Sequence, residues 1–199
     1  TWNPSEPLQS PPYEFFLPDI FIFADNQFGW LMVHVGAGMS KDYIFIFSTK
    51  NGGRSWEIVF DPYSPNGPHT CSKTGMDFLT DGRGVLTLHC QGVRDGAIIN
   101  TTTNNGVEWT EHILSAPSFE STAFDYGNYC HTHSPQILDD GTIVAAVTCE
   151  TFVDSQLETT GNFQYSLELG ADIWESYEYP GGDLLYVSES TAYAFSDEI

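Results

Sequence analysis

Positive charge is what this chain has least of. Six Lys and Arg stand against 27 Asp and Glu, for a formal net charge of −21. All six (Lys41, Lys50, Arg54, Lys73, Arg83, Arg94) lie in the first half, and none occurs from Asp95 to Ile199. Such a surface repels phosphate backbones and anionic lipid, which argues against nucleic acid or a membrane surface as partner. Cations and basic partners stay open. No apolar run approaches the ~20 residues that span a bilayer, and the chain opens on Thr1 rather than Met, as a processed or excerpted chain would. Helical periodicity is missing too: apolar residues alternate, or come in short β-branched and aromatic blocks bounded by Gly, Pro, Asn and Asp. A Gly-rich phosphate loop, a nucleophile elbow and a CxxC redox pair are likewise absent. The expectation is an all-β chain with no cofactor.

What is present includes a local motif written twice. Thr49-Lys50-Asn51-Gly52-Gly53-Arg54-Ser55-Trp56 and Thr102-Thr103-Asn104-Asn105-Gly106-Val107-Glu108-Trp109 both read hydroxyl, any, Asn, any, Gly, two residues, Trp. Each follows an apolar or β-branched run, Tyr43 to Phe47 and Ala97 to Asn100. The Asn side chain folds back on the backbone as in an Asx-turn, Gly supplies positive φ, and the Trp closes the turn as an apolar lid. A segment recurring about every 50 residues marks a propeller or array. Hydrophobic content of 41% and aromatic content of 15% place the chain among folded proteins despite its charge.

The four cysteines form two equally spaced pairs, Cys71/Cys90 and Cys130/Cys149. The segments 71–90 and 130–149 align without a gap at Cys, Leu, Asp-Gly, Val and Cys, which is an internal duplication. In each copy the Asp-Gly dipeptide (Asp81-Gly82, Asp140-Gly141) reads as a hairpin turn. Four-residue loops at 79–82 and 138–141 set Cys71 opposite Cys90 and Cys130 opposite Cys149, within disulfide reach. Of three possible connectivities, this one falls out of the register twice. Disulfides place the expected home of the chain outside the reducing cytosol.

The map that follows has a Pro-rich extended strap over residues 1–18 and one propeller-like domain over 19–199. Its repeats run 19–69, 70–129 and 130–182, with a partial fourth over 183–199. The segment from Asp19 to His34 repeats the strand, turn, strand layout without cysteines, and Ser166 to Trp174 is a degenerate third box with one extra residue before its Trp. Asn100-Thr101-Thr102 is a glycosylation sequon. Cys130-His131-Thr132-His133 and Asp139-Asp140-Gly141 invite metal readings, but a disulfide at Cys130 and an ordinary turn at Asp140 account for both, so no metal is expected. Exposed aromatics such as Trp2, Tyr126, Tyr129, Tyr177 and Tyr179 suit sugar stacking, with core packing as the plainer use.

The boxes resemble the Asp-box, or bacterial neuraminidase repeat: Ser/Thr, any, Asp/Asn, any, Gly, any, Thr/Ser, Trp. The match is complete at Thr49, Asn51, Gly53 and Trp56; Thr102, Asn104, Gly106 and Trp109 match with Glu108 in the penultimate place. The resemblance implies a β-propeller in which each box joins the third and fourth strands of a blade. Sialidases, sortilin-type receptors and photosystem assembly factors share it, so it implies fold more than function. A sialidase-like site resembles three convergent arginines with a Tyr/Glu pair and an Asp. Here Arg54 falls in a box turn and Arg83 in a hairpin loop. The expectation is therefore a non-catalytic secreted module in structure, adhesion or self-assembly, joined head to tail through its terminal strands or bound to a glycan or another protein. The alternative is a sialidase-like glycoside hydrolase, or part of a larger propeller. The strap is expected to close the last repeat of its own chain or of a neighbour.

Overall fold

Short β-branched and aromatic blocks separated by turn residues leave the backbone one economical solution, the antiparallel meander. A computed structural model describes residues 5–8, 15–90, 96–125, 127–154, 156–168, 170–181, 183–188 and 191–195. Among them every regular element is a strand, and no helix is long and apolar enough to cross a membrane. The first sheet runs β1 (Leu17–Phe23), β2 (Gly29–Gly38), β3 (Lys41–Thr49) and β4 (Glu57–Phe60) in chain order. The second repeats it with β5 (Ser72–Phe78), β6 (Gly84–His89), β7 (Ile98–Thr102) and β8 (Thr110–Ile113). In the third, β9 (Asn128–Thr132) and β10 (Gln136–Ile137) both pair β11 (Ile143–Val153), followed by β12 (Gln156–Leu167) and β13 (Glu175–Glu178). A single pair, His89 with His131, joins the second and third meanders at one edge. The strands β14 (Asp183–Ser188) and β15 (Thr191–Phe195) form a separate two-stranded sheet.

The hairpins show how the duplicated register is kept. The loops between first and second strands have five residues, not the four expected: Phe78 pairs with Gly84 and Ile137 with Ile143. One more loop residue moves every pair by one place. A one-residue bulge between Lys73 and Gly75 moves it back, so Ser72 faces His89 and Cys71 bonds Cys90. The third sheet does the same: Gln136 faces Val144 but Thr132 faces Val147, and Cys130 pairs and bonds with Cys149. Each disulfide spans 19 positions.

Sheets stack in sequence. Trp30, Met32, Ile44 and Ile46 of the first sheet meet Met76, Phe78, Leu86, Leu88 and Ile98 of the second. Val85 and Ile99 on the opposite face of the second sheet meet Ala145, Val147, Phe163 and Tyr165 of the third. Hydrogen bonds cross the same joints, as the Asp77 carboxylate accepts from the Ile137 N–H at 2.7 Å and the Thr132 hydroxyl donates to the Leu88 carbonyl at 2.7 Å. The described part of the strap does not reach the last strands. Leu8 and Phe16 pack on the outer face of the first sheet, over Val33, Phe45 and Phe47, and the Glu6 N–H donates to the Arg54 carbonyl at 2.8 Å. Among the described residues the strap covers an apolar face, and only its last two, Leu17 and Pro18, pair with a strand, as the start of β1 against β2.

Candidate functional site at the disulfide end

The sheets have two ends of different chemistry. One carries the first hairpin loops and the box turns. Both boxes form the same hydrogen bonds. Thr49 Oγ1 donates to Asn51 Oδ1 at 3.0 Å and accepts from Gly53 N–H at 3.0 Å; Thr102 repeats this with Asn104 and Gly106 at 3.0 and 3.1 Å. The Asn carboxamide oxygen accepts from Ser55 N–H at 3.0 Å in one copy and from Glu108 N–H at 2.9 Å in the other. Its nitrogen donates to Ser55 Oγ or to Glu108 Oε2, so Glu replaces Ser without loss of the bond. Trp56 and Trp109 both donate through Nε1 to the carbonyl of Gly53 or Gly106. Those glycines sit at φ 78° and 86°, a region costly for any side chain. The third turn departs from the pattern. Gly170 keeps a positive φ of 83°, but the enclosed Trp174 Nε1 has no hydrogen-bond partner among the described residues, unlike its two counterparts.

The opposite end carries the two disulfides and a chain of ionisable groups. An open cleft of about 370 Å³ is lined there by His34, Ser40, Lys41, Asp42, Cys71 and His89. Strand β2 presents His34 between two carboxylates: Nδ1 meets Asp42 Oδ1 at 2.8 Å and Nε2 meets Asp19 Oδ2 at 2.9 Å. Ionised carboxylates only accept, so both ring nitrogens donate and the ring is an imidazolium. The bond to Asp42 outweighs burial and raises the His34 pKa. Burial works against the Asp42 carboxylate, but its bond to His34 and the charge of Lys73 hold it below the usual range. Lys73 Nζ lies 3.6 Å from Asp42 Oδ2 and donates to the carbonyls of Cys71 at 2.7 Å and Thr70 at 3.1 Å. Burial pushes its pKa down to about 8 against the pull of Asp42. The side chain of Lys73 is 0% exposed, and its ammonium ties the crossover between the first two sheets.

A row of histidines continues from the cleft toward the third sheet. The His89 and His131 rings lie 5.1 Å apart, and His131 and His133 5.0 Å. Burial lowers the His89 pKa, opposed by Glu150. The Thr148 hydroxyl donates its proton to Asn162 Oδ1 at 3.0 Å, so it accepts from His133 Nε2–H at 2.8 Å. Among the described residues no group of three His, Cys, Asp or Glu side chains is placed to hold a metal ion. The Asp140 carboxylate instead accepts from the Thr142 N–H and hydroxyl at 2.8 and 2.9 Å, which keeps its pKa low.

Other sequence expectations fare differently. The sequon residue Asn100 is 2% exposed, and its Nδ2 is enclosed with no hydrogen-bond partner among the described residues. It lies in the second sheet, which neighbours cover on both faces, so strand alternation there gives no outward side. Arg83 binds Asp81 at 2.8 Å across its own turn, and Arg94 lies outside the described residues. Tyr177 is exposed and Tyr179 buried, Tyr129 packs edge-on against Phe152, while Trp2 and Tyr126 lie outside the described residues. Sequence reasoning missed Asp42, Lys73 and Asp77. Its available signal was an ionisable residue inside a strand-like run, at 42, 73 and 77 alike.

No protein-family model matches this chain, and no curated protein does. Among solved structures it is similar to the native arabinanase of Bacillus subtilis, at 17% identity and a TM-score of 0.40. The likeness covers 75% of this chain and 50% of that one, so the chain spans half the length of this neighbour.

Proposed function

We propose that the chain is a non-catalytic extracellular module of Asp-box β-propeller type, acting in structure or adhesion and associating with itself. The observation that carries this reading is the self-neutralised cluster in the cleft. Asp19, His34, Asp42 and Lys73 satisfy one another's charges, and Lys73 is turned inward onto carbonyls. A general acid needs a proton open to substrate, and here the nitrogens of His34 face Asp42 and Asp19 while the Lys73 ammonium faces backbone carbonyls. Two disulfides support the extracellular setting. The repeated box network supports the Asp-box reading as a turn device.

The test is hydrolysis of sialoside and arabinan reporters by the intact chain, with mass in solution measured alongside. The expected outcome is no sugar release above the blank and a mass that rises with concentration. Release from either reporter that disappears on His34→Gln substitution overturns the non-catalytic reading in favour of a propeller glycoside hydrolase.

A further inference from the structure

Asp42 lies near the start of β3 and Lys73 near the start of β5, 31 positions further on, and a rigid frame brings them together. The Asp42 N–H donates to the His69 carbonyl at 3.2 Å, the Cys71 N–H donates to the Ser40 carbonyl at 2.9 Å, and Lys41 bridges Thr70. Cys71, two residues before Lys73, sits at φ 60°, a left-handed conformation that a residue with a side chain keeps only where its surroundings enforce it. Its disulfide to Cys90 fixes the frame from the other side.

The pair held in this frame is not an ordinary ion pair. Charge-assisted N–H···O bonds close to about 2.7 to 2.9 Å, yet Lys73 Nζ stands 3.6 Å from Asp42 Oδ2, which is enclosed with no hydrogen-bond partner among the described residues. The Lys73 side chain is 0% exposed and Asp42 6%. Buried opposite charges relax when the ammonium passes a proton to the carboxylate, leaving a neutral amine beside a carboxylic acid. Burial already pushes the Lys73 pKa down to about 8, and a desolvated lysine amine is a nucleophile. On the far side of the carboxyl group His34 Nδ1–H meets Oδ1 at 2.8 Å, where it stabilises the negative charge that forms on Oδ1 when Cγ is attacked.

We propose that Asp42 and Lys73 are joined by a side-chain amide bond that the folded chain forms by itself. The charged pair described above is the state before the reaction. Once a proton has passed from Nζ to Oδ2, the amine lone pair attacks Cγ. The Nζ–Cγ bond forms, the Cγ–Oδ2 bond breaks, and Oδ2 leaves as water with the proton it already holds and a second one from Nζ. Ammonium and carboxylate thus become amide and water, with no oxidant, reductant or co-reactant, and the frame supplies the proximity the step needs. His34 keeps its bond to Oδ1, now the amide carbonyl, and the hydrogen left on Nζ has the Cys71 carbonyl at 2.7 Å. The bond ties the first sheet to the second and, unlike the two disulfides, survives reduction. It goes beyond the non-catalytic reading and does not depend on it.

The experiment is the exact mass of the full chain, folded and then denatured and reduced, followed by proteolysis and fragmentation of its peptides, for the native sequence and for Lys73→Arg. The native chain is expected to be lighter than its sequence by one water and to release a branched peptide joining Asp42 to Lys73, while Lys73→Arg keeps its full mass. The native chain decides the matter whether or not the variant folds. A folded native chain at its full sequence mass overturns the bond. So does a lost water that persists in Lys73→Arg, or one located at an Asp-Gly turn such as Asp81-Gly82, where a succinimide forms without any lysine.

Discussion

The first and second sheets are two copies of one hairpin design placed in different surroundings. Their boxes share six hydrogen bonds of the Thr, Asn and Trp side chains, to within about 0.3 Å, yet Trp109 is buried and Trp56 only half-buried. The turn is thus built by its own eight residues, and the neighbouring sheet decides how well it is sealed. A second contrast sits at the other end. His34 and His89 each stand five residues after the glycine that opens the second strand, Gly29 or Gly84. His34 lies between two aspartates and gains affinity for a proton, whereas burial deprives His89 of it. One position in the copied hairpin therefore serves as a charged tie in one sheet and a neutral filler in the next.

The largest expected effect separates the two boxes. Trp109→Ala removes a sealed indole and is expected to cost about 4 kcal/mol in chemical unfolding, while Trp56→Ala costs about half of that. Equal losses would mean that the covering sheet contributes nothing. Next comes pH. The raised pKa of His34 gives a stabilisation complete below the unfolded value near 6.5, which fades as pH rises through the folded value. The lowered pKa of His89 works the other way, removing stability as pH falls below about 6.5. Urea midpoints across pH 5 to 9 are therefore expected to show His34→Gln most damaging at the acid end and harmless at the alkaline end. His89→Gln is expected to relieve part of the acid loss. The smallest effect is Glu108→Ser, which restores the hydroxyl found at Ser55 and is expected to stay within about 0.5 kcal/mol of the native chain.

Much of this was readable before any coordinates. Box residues make only local bonds, so eight letters suffice to specify them, and the duplicated cysteine spacing specified its own pairing. Loop length was not readable, because a fifth loop residue and a bulge at Thr74 cancel in the register and leave the disulfide prediction unchanged. The burial of Asn100 was not readable because a sheet covered on both faces erases the signal of alternation. Asp42 and Lys73 are 31 positions apart and meet only when the first sheet stacks on the second, a long-range consequence no local pattern carries. The same holds for the strap: its Pro-rich composition gives extension, and only packing shows which face Leu8 and Phe16 cover.

The central claim is that copied turns differ only in what covers them. Amide hydrogen exchange of the two boxes in dilute solution tests this most directly, by comparing Gly53 with Gly106, whose N–H groups make the same bond to Thr49 and Thr102. Gly106, beneath Phe78 and Trp109, is expected to exchange about tenfold or more slowly than Gly53. Equal rates, or faster exchange at Gly106, would contradict the account.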